Sequence, residues 1–366
     1  MKNPQLKLML AASAVAIAAG SPWVLAQDDT APAEPAVEEA AAEETPAEES
    51  GAEESAAPAV AVKPRASEIM PLSDKGLLLD VALSGKHLFA VGDRGVVLVS
   101  NNARQWAQVA TPTRSALTGI SFGDENTGWA VGHDAVILKT ADGGKTWALQ
   151  NFQPELEKPF LAVLALDADN AIAVGAYGLM MRTTDGGSTW AEADAPAVRG
   201  DELHLNKIGR LANGHLMVVG EQGTMGLSTD GGVTWEKLTA PYEGSLFGVQ
   251  PSGENGAYIY GLRGNVFRID DPKTGTWTPV DVGTVSSFFG GAPLSDGGVA
   301  LVGLAGKALK VDEGGSVSAI TVTRPTTDAN GTTLDKEVTG SFSSAVVWAG
   351  RLVVVGELGV QSAPIN

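Results

Sequence analysis

The chain has 366 residues, with 25 Lys+Arg against 43 Asp+Glu, a formal net charge of −18, and no cysteine. Absence of cysteine excludes disulfides, thiolate nucleophiles, Cys-ligated zinc and iron–sulfur clusters. The acidic balance argues against nucleic acid as a partner, because phosphate binding needs a basic face.

Lys2 and Lys7 flank the start of an apolar run, Leu8 to Ala19, and Val24-Leu25-Ala26 offers small or apolar residues for cleavage. About a dozen apolar residues are too few to span a bilayer, which takes about 20 in a helix. Residues 1–26 therefore read as a removable export signal, and the mature chain is expected to be exported, soluble and periplasmic. From Gln27 to Val62 the composition turns to Ala, Pro, Glu and Ser, with eleven acids, no base and no aromatic. Such a stretch buries too little apolar area to offset its ordering entropy, so residues 27–63 are expected to form a disordered acidic tether. The eleven acids and the two leader lysines leave −9 for the rest of the chain.

The remainder, residues 64–366, repeats. A hydrophobic pair ending in Gly recurs seven times, at Gly92, Gly132, Gly175, Gly220, Gly261, Gly303 and Gly356. Successive copies lie 40, 43, 45, 41, 42 and 53 residues apart. Each copy reads as an apolar strand, a tight turn served by glycine's positive φ, and a second apolar strand. A second motif follows in phase: Thr140-Ala-Asp142-Gly-Gly-Lys-Thr146-Trp147, then Thr183-Thr-Asp185-Gly-Gly-Ser-Thr189-Trp190, then Ser228-Thr-Asp230-Gly-Gly-Val-Thr234-Trp235. Decayed copies stand at Asn102, Asp271 and Asp312. A short carboxylate accepts backbone N–H groups of its own turn, and a Trp fills the gap between neighbouring sheets. These are Asp-boxes, also called BNR repeats.

Units of about 43 residues with four short strands each predict an all-β fold, a seven-bladed β-propeller. Blade two is expected to hold strands 116–122, 127–132, 135–140 and 146–152. Blade seven is expected to run through 338–344, 351–355 and 360–364, leaving no outer strand. Residues 66–72 are the expected substitute, an N-terminal outer strand that closes the ring.

The run from Phe122 to Trp147, Phe-Gly-Asp-Glu-Asn-Thr-Gly-Trp-Ala-Val-Gly and then Ile-Leu-Lys-Thr-Ala-Asp-Gly-Gly-Lys-Thr-Trp, resembles the photosystem II stability/assembly factor family of seven-bladed propellers. The resemblance extends over roughly residues 66–360. It implies a non-enzymatic exported scaffold that holds a membrane-protein intermediate, or an accessory to a membrane exporter. The long acidic tether departs from the family pattern and points to a non-photosynthetic bacterial relative.

In a propeller the turns joining strands two and three share a face with the inter-blade connections, and the Asp-boxes lie opposite. Asp142, Trp147, Asp185, Trp190, Asp230 and Trp235 are therefore expected to be structural. The varied residues of the other face are the binding candidates: Arg94, His133, Tyr177, Gln222 and Arg263 in turns, with Arg114, Arg199 and Arg324 in connections. Five arginines there would suit partner carboxylates. The expected partner is an exported or membrane-embedded protein, the expected state a monomer, with no cofactor and no metal. The rival is a sialidase-like glycoside hydrolase or a carbohydrate-binding propeller, since Asp-boxes also occur there. Of four tyrosines, Tyr177 lies in the right kind of turn for a nucleophile, but its immediate neighbours supply no base.

Overall fold

The computed structural model describes residues 62–327 and 333–365. The expected leader and almost all of the expected tether lie outside the described residues.

Each repeat folds into one antiparallel meander, and seven such sheets form the blades of a β-propeller. Blade one carries strands Leu78–Ser84, His87–Gly92, Val97–Ser100 and Ala107–Val109. Blade two carries Leu117–Phe122, Gly128–Gly132, Ile137–Thr140 and Ala148–Asn151, every limit within two residues of expectation. Blades three to six begin their inner strands at Phe160, Leu205, Leu246 and Phe288. Among the described residues, blade seven has three strands: Phe342–Trp348, Arg351–Gly356 and Gly359–Pro364.

The second strand of every blade is an apolar run, such as Ala171–Gly175 and Leu216–Gly220, buried along its length except at the leading His87 of blade one and Arg351 of blade seven. Strands covered on both faces lose the usual in–out alternation. Seven apolar clusters result, one for each seam between neighbouring blades. The Asp-box tryptophans fill these seams. Trp147 joins blade one's Phe89 and Val97, and Trp235 joins blade three's Ile172 and Val174. Trp190 packs against the seam of blades two and three. Outer strands are only two to four residues long in blades one to six, which keeps exposed edges short.

Two expectations are corrected. The connection expected to carry Arg324, from 324 to 337, is not open in its described residues. They belong mostly to a hairpin, Thr323–Thr327 paired with Thr333–Glu337, which accounts for the longest repeat spacing and moves blade seven's inner strand to Phe342–Trp348. The second concerns closure. Residues 66–72 form no strand, and they lie along the outer strand of blade one instead of blade seven. Ser67 N donates to Thr111 O at 2.9 Å, and Gln108 Nε2 donates to Glu68 O at 2.8 Å.

The reason lies one turn further on. In every blade the strand two–three turn is seated on the connection leading to the next blade. Gly178 N bonds Leu203 O at 2.9 Å, for example, and Gly223 N bonds Gly244 O at 3.0 Å. At the last turn, Gly359 is seated on Asp74. The stretch 73–77 thus stands where a connection from blade seven to blade one would run. That seating commits the residues before it to blade one. The ring closes by sheets packed face to face: Leu78, Val81 and Leu88 share one cluster with Val353, Val355 and Val360.

Candidate functional site

The strand two–three turns are built alike in blades one to six. The amide after the first glycine returns to the carbonyl that precedes its own blade's inner strand. The seven bonds, blade seven included, run from 2.8 to 3.2 Å, from Asp93 N to Leu77 O through Glu357 N to Ser341 O. The positive φ expected of the turn is carried by the second glycine, as at Gly95 (70°) and Gly178 (67°), whereas the first is extended (φ −173° at Gly92). It is there because a Cβ would lie 2.0–2.2 Å from that same carbonyl oxygen, as at Gly132 on Ala116 O. Positive φ also falls on the residue just before that second turn position: Arg94, Asp134, Tyr177, Gln222, Arg263 and Ala305, at 50–58°. A left-handed non-glycine residue carries strain of order 1–2 kcal/mol, held by the surrounding turn. The six tips carry six different local surfaces, one from each of blades one to six.

The expected binding residues separate into two groups. Arg94, His133, Gln222 and Arg263 are exposed at the turns. Arg94 is paired loosely with its neighbour Asp93 at 3.5 Å, and Arg263 N donates to Ser287 Oγ at 3.2 Å. Arg114 and Arg199 are engaged elsewhere. Arg114 binds Ala66 O at 3.0 Å and pairs with Glu68, pinning the lead-in segment. Arg199 ends a short helix, Pro196–Arg199, where it donates to Gly178 O at 2.8 Å, to Ala193 O and to Glu192. Arg324 sits in the hairpin, opposite Lys336. Arg94 and Arg263 belong to blades one and five, so two blades separate them around the shorter arc.

Tyr177 is half-buried and brings together two residues of the same face, His204 from a connection and Glu221 from a turn, that the sequence does not join to it. Its ring meets His204 edge-on at 4.8 Å, and its backbone N–H donates to His204 Nδ1 at 3.3 Å. Glu221 Oε2 lies 3.4 Å from the same Nδ1. His204 and Glu221 precede and follow the paired strands of blade four, which is the signal that could have joined them: each flanks a strand end on the turn face. Beside Arg94 lies a recess of about 420 Å³, walled by Met70, Pro71, Leu72, Leu77 and Val96 and bordered by Asp93. Leu72 there is 71 % exposed, and Val285, beside the blade-five turn, is 83 % exposed.

The opposite face is uniform. Asp142 accepts from Thr146 N at 2.9 Å and Thr146 Oγ1 at 2.7 Å, while Thr140 Oγ1 accepts from Gly144 N at 2.8 Å. Asp185 with Thr189, and Asp230 with Thr234, repeat this geometry within 0.1 Å. Hydroxyl and amide donation from those threonines holds all three carboxyls down at about 2. The second glycine of each box abuts the preceding blade: a Cβ on Gly144 would reach Phe89, and one on Gly232 would reach Ile172. Among the tyrosines, Tyr258 and Tyr260 are buried in the seam of blades five and six, and burial raises both phenol pKa values. Among the described residues no cluster of three His, Asp or Glu side chains is placed to hold a metal, and no helix is long and apolar enough to cross a membrane.

The family model described as photosynthesis system II assembly factor YCF48 matches residues 98–288, just over half of the chain. The chain belongs to this family. Among curated relatives, the chloroplastic photosystem II stability/assembly factor HCF136 of Cyanidioschyzon merolae is 46% identical over 50 residues, covering 13% of this chain and 11% of the relative. The photosystem II assembly protein Ycf48 of Thermosynechococcus vestitus is 40% identical over 42 residues, covering 12% of each. The matched stretch thus spans only about a ninth of the curated relatives' length. A solved structure of YCF48 bound to D1 peptide is 20% identical with a TM-score of 0.62, covering 84% of this chain and 99% of that one. The WD40 β-propeller domain of Doa1, 10% identical, reaches the same TM-score over 83% and 97%. At these identities the structural likeness speaks for the fold alone.

Proposed function

We propose that this propeller is a non-enzymatic assembly scaffold, exported by its leader, that holds an extended segment of an exported or membrane-embedded protein on its turn face. One observation carries the reading. Six turn tips, two arginines and four residues of other kinds, are held by the same strained backbone, beside an apolar recess with Arg94 on its rim. A rigid platform loses little entropy on binding, so affinity can come from a few placed side chains. Arg94 and Arg263 would fork to carboxylates of the segment, Tyr177 and Gln222 would supply aromatic and amide contacts, and the recess would take an apolar side chain. The matching family, and the D1 peptide seen on a solved relative, support a protein partner.

The test is fluorescence polarisation of the mature chain against tiled peptides from envelope membrane proteins. Peptides joining an apolar residue to carboxylates should bind, and Arg94→Glu with Arg263→Glu should weaken them by about tenfold, one ion-pair's worth or more. Unchanged binding removes the arginine role. Turnover of sialosides that is lost on Tyr177→Phe would replace the scaffold with the hydrolase reading.

A further inference from the structure

The inner strands that line the propeller axis repeat one register position, the residue paired with the one before the first turn glycine. It is Asp80 opposite Val91 in blade one, Lys207 opposite Val219 in blade four and Ser344 opposite Val355 in blade seven. In the other four blades the same position holds Gly119, Ala162, Gly248 or Gly290. Small residues at four of seven places leave the axis open to a long side chain from one of the others.

Lys207 takes that course. Its Nζ lies 3.4 Å from Asp80 Oδ2, although blades one and four are as far apart as a seven-membered ring allows. Asp80 is only 7 % exposed in its side chain, and both of its oxygens are doubly occupied. Ser344 Oγ of blade seven donates to Oδ1 at 2.6 Å, beside Val81 N at 3.0 Å. Ile120 N of blade two donates to Oδ2 at 3.2 Å, beside the lysine. One carboxylate therefore ties together blades seven, one, two and four. Next to it, Ser343 Oγ donates to Leu78 O at 2.7 Å across the same seam.

A carboxylate is costly to bury unless its acceptors are filled and its charge is met. Here both conditions hold, and they hold at the seam between the first and last blades, where no described strand is exchanged. We propose that Asp80 is the clasp that closes the ring: it joins the two ends of the chain's propeller from the axis, and Lys207 braces it across the channel. Asp80 and Lys207 are positioning residues in this role. Apolar packing of blades one and seven sets the seam's bulk contact, and the clasp fixes its register.

Hydrogen exchange on the mature chain, read strand by strand, tests this. Asp80→Asn removes the charge that meets Lys207 and turns one acceptor oxygen into an NH2 donor, which must face either Ile120 N and Lys207 or Val81 N. It should speed exchange of His87–Gly92 and Arg351–Gly356 by about tenfold or more, while Ala171–Gly175 in blade three changes little. Ser344→Ala deletes one of the four bonds and should give the same pattern at smaller amplitude, so the test stands even if Asp80→Asn fails to fold. Lys207→Met should loosen the seam between blades one and seven, although Lys207 lies in neither blade. Adding it to Asp80→Asn should bring little further loss, because the two act as one unit. Ser121→Ala, which removes an acceptor for Ala165 N between blades two and three, is the control and should leave the closing seam unchanged. Equal loosening of all blades by Asp80→Asn and Ser344→Ala, or an unaltered closing seam, would overturn the proposal. So would full additivity of the Asp80 and Lys207 variants.

Discussion

On the Asp-box face, Asp142, Asp185 and Asp230 make the same bonds to the same relative positions within 0.1 Å, and a tryptophan follows each into a seam. On the opposite face the turns are equally uniform in backbone, yet their tips read Arg94, Asp134, Tyr177, Gln222, Arg263 and Ala305. Uniform side chains mark positions whose work is done inside the fold. Uniform backbone under varied side chains marks a platform. The difference teaches that repetition should be judged separately for main chain and side chain, since the most repetitive side chains here spend their hydrogen bonds within their own turns.

Variants that strike the structural side should cost most. Trp147→Ala empties a site 7 % exposed between blades one and two, and should lower stability by about 3–5 kcal/mol in urea unfolding. Trp190, only partly buried, should cost less. Gly132→Ala comes next. Its Cβ would lie 2.0 Å from Ala116 O, so backbone must shift, and a loss of about 1–3 kcal/mol is expected, although alanine suits an extended φ.

The boxes also make a pH prediction. A carboxyl held at about 2 in the fold, against an ordinary 3.8, stabilises the folded state above about pH 4. That contribution is lost as pH falls from about 4 through 2. Replacing Asp142, Asp185 and Asp230 together by Asn should flatten the fall in melting temperature over that window. The carboxyls are near the surface, so the effect should shrink in high salt. An acid limb as steep as that of the parent chain would separate the boxes from acid stability.

The smallest effects belong to the platform. Gln222→Gly relieves a left-handed residue and should change stability by no more than about 1 kcal/mol. Gln222→Val, β-branched at φ 50°, should be clearly worse than Gly in the same assay. A turn that accepts Val and Gly equally would show that the backbone there is not held, and the contrast between the faces would weaken.

Much of this was legible before any coordinates. The spacing of the repeats, the Asp-box bonds and the seam positions of Trp147 and Trp235 follow from local patterns, because a blade is built from about 40 consecutive residues. Strand limits in blade two came within about two residues for the same reason. The site was less legible. Arg199 reads as a free surface arginine, yet its three acceptors are backbone and side-chain oxygens brought near by a short helix. His204 and Glu221 lie 27 and 44 residues beyond Tyr177 and carry no motif that joins them to it. The hairpin at 323–337 breaks the period, so the repeat could only show that something longer was there.

Composition and period by themselves determined that the chain is a ring of seven small sheets with structural Asp-boxes, since each turn's bonds and each apolar strand are specified by neighbours in sequence. How the ring ends meet was decided only in three dimensions. The stretch 73–77 is drawn to the last turn as its missing connection, and this turns residues 66–72 away from blade seven. Asp80 meets Ser344 and Lys207, 264 and 127 residues away, because closing a circle brings together positions that no local pattern relates.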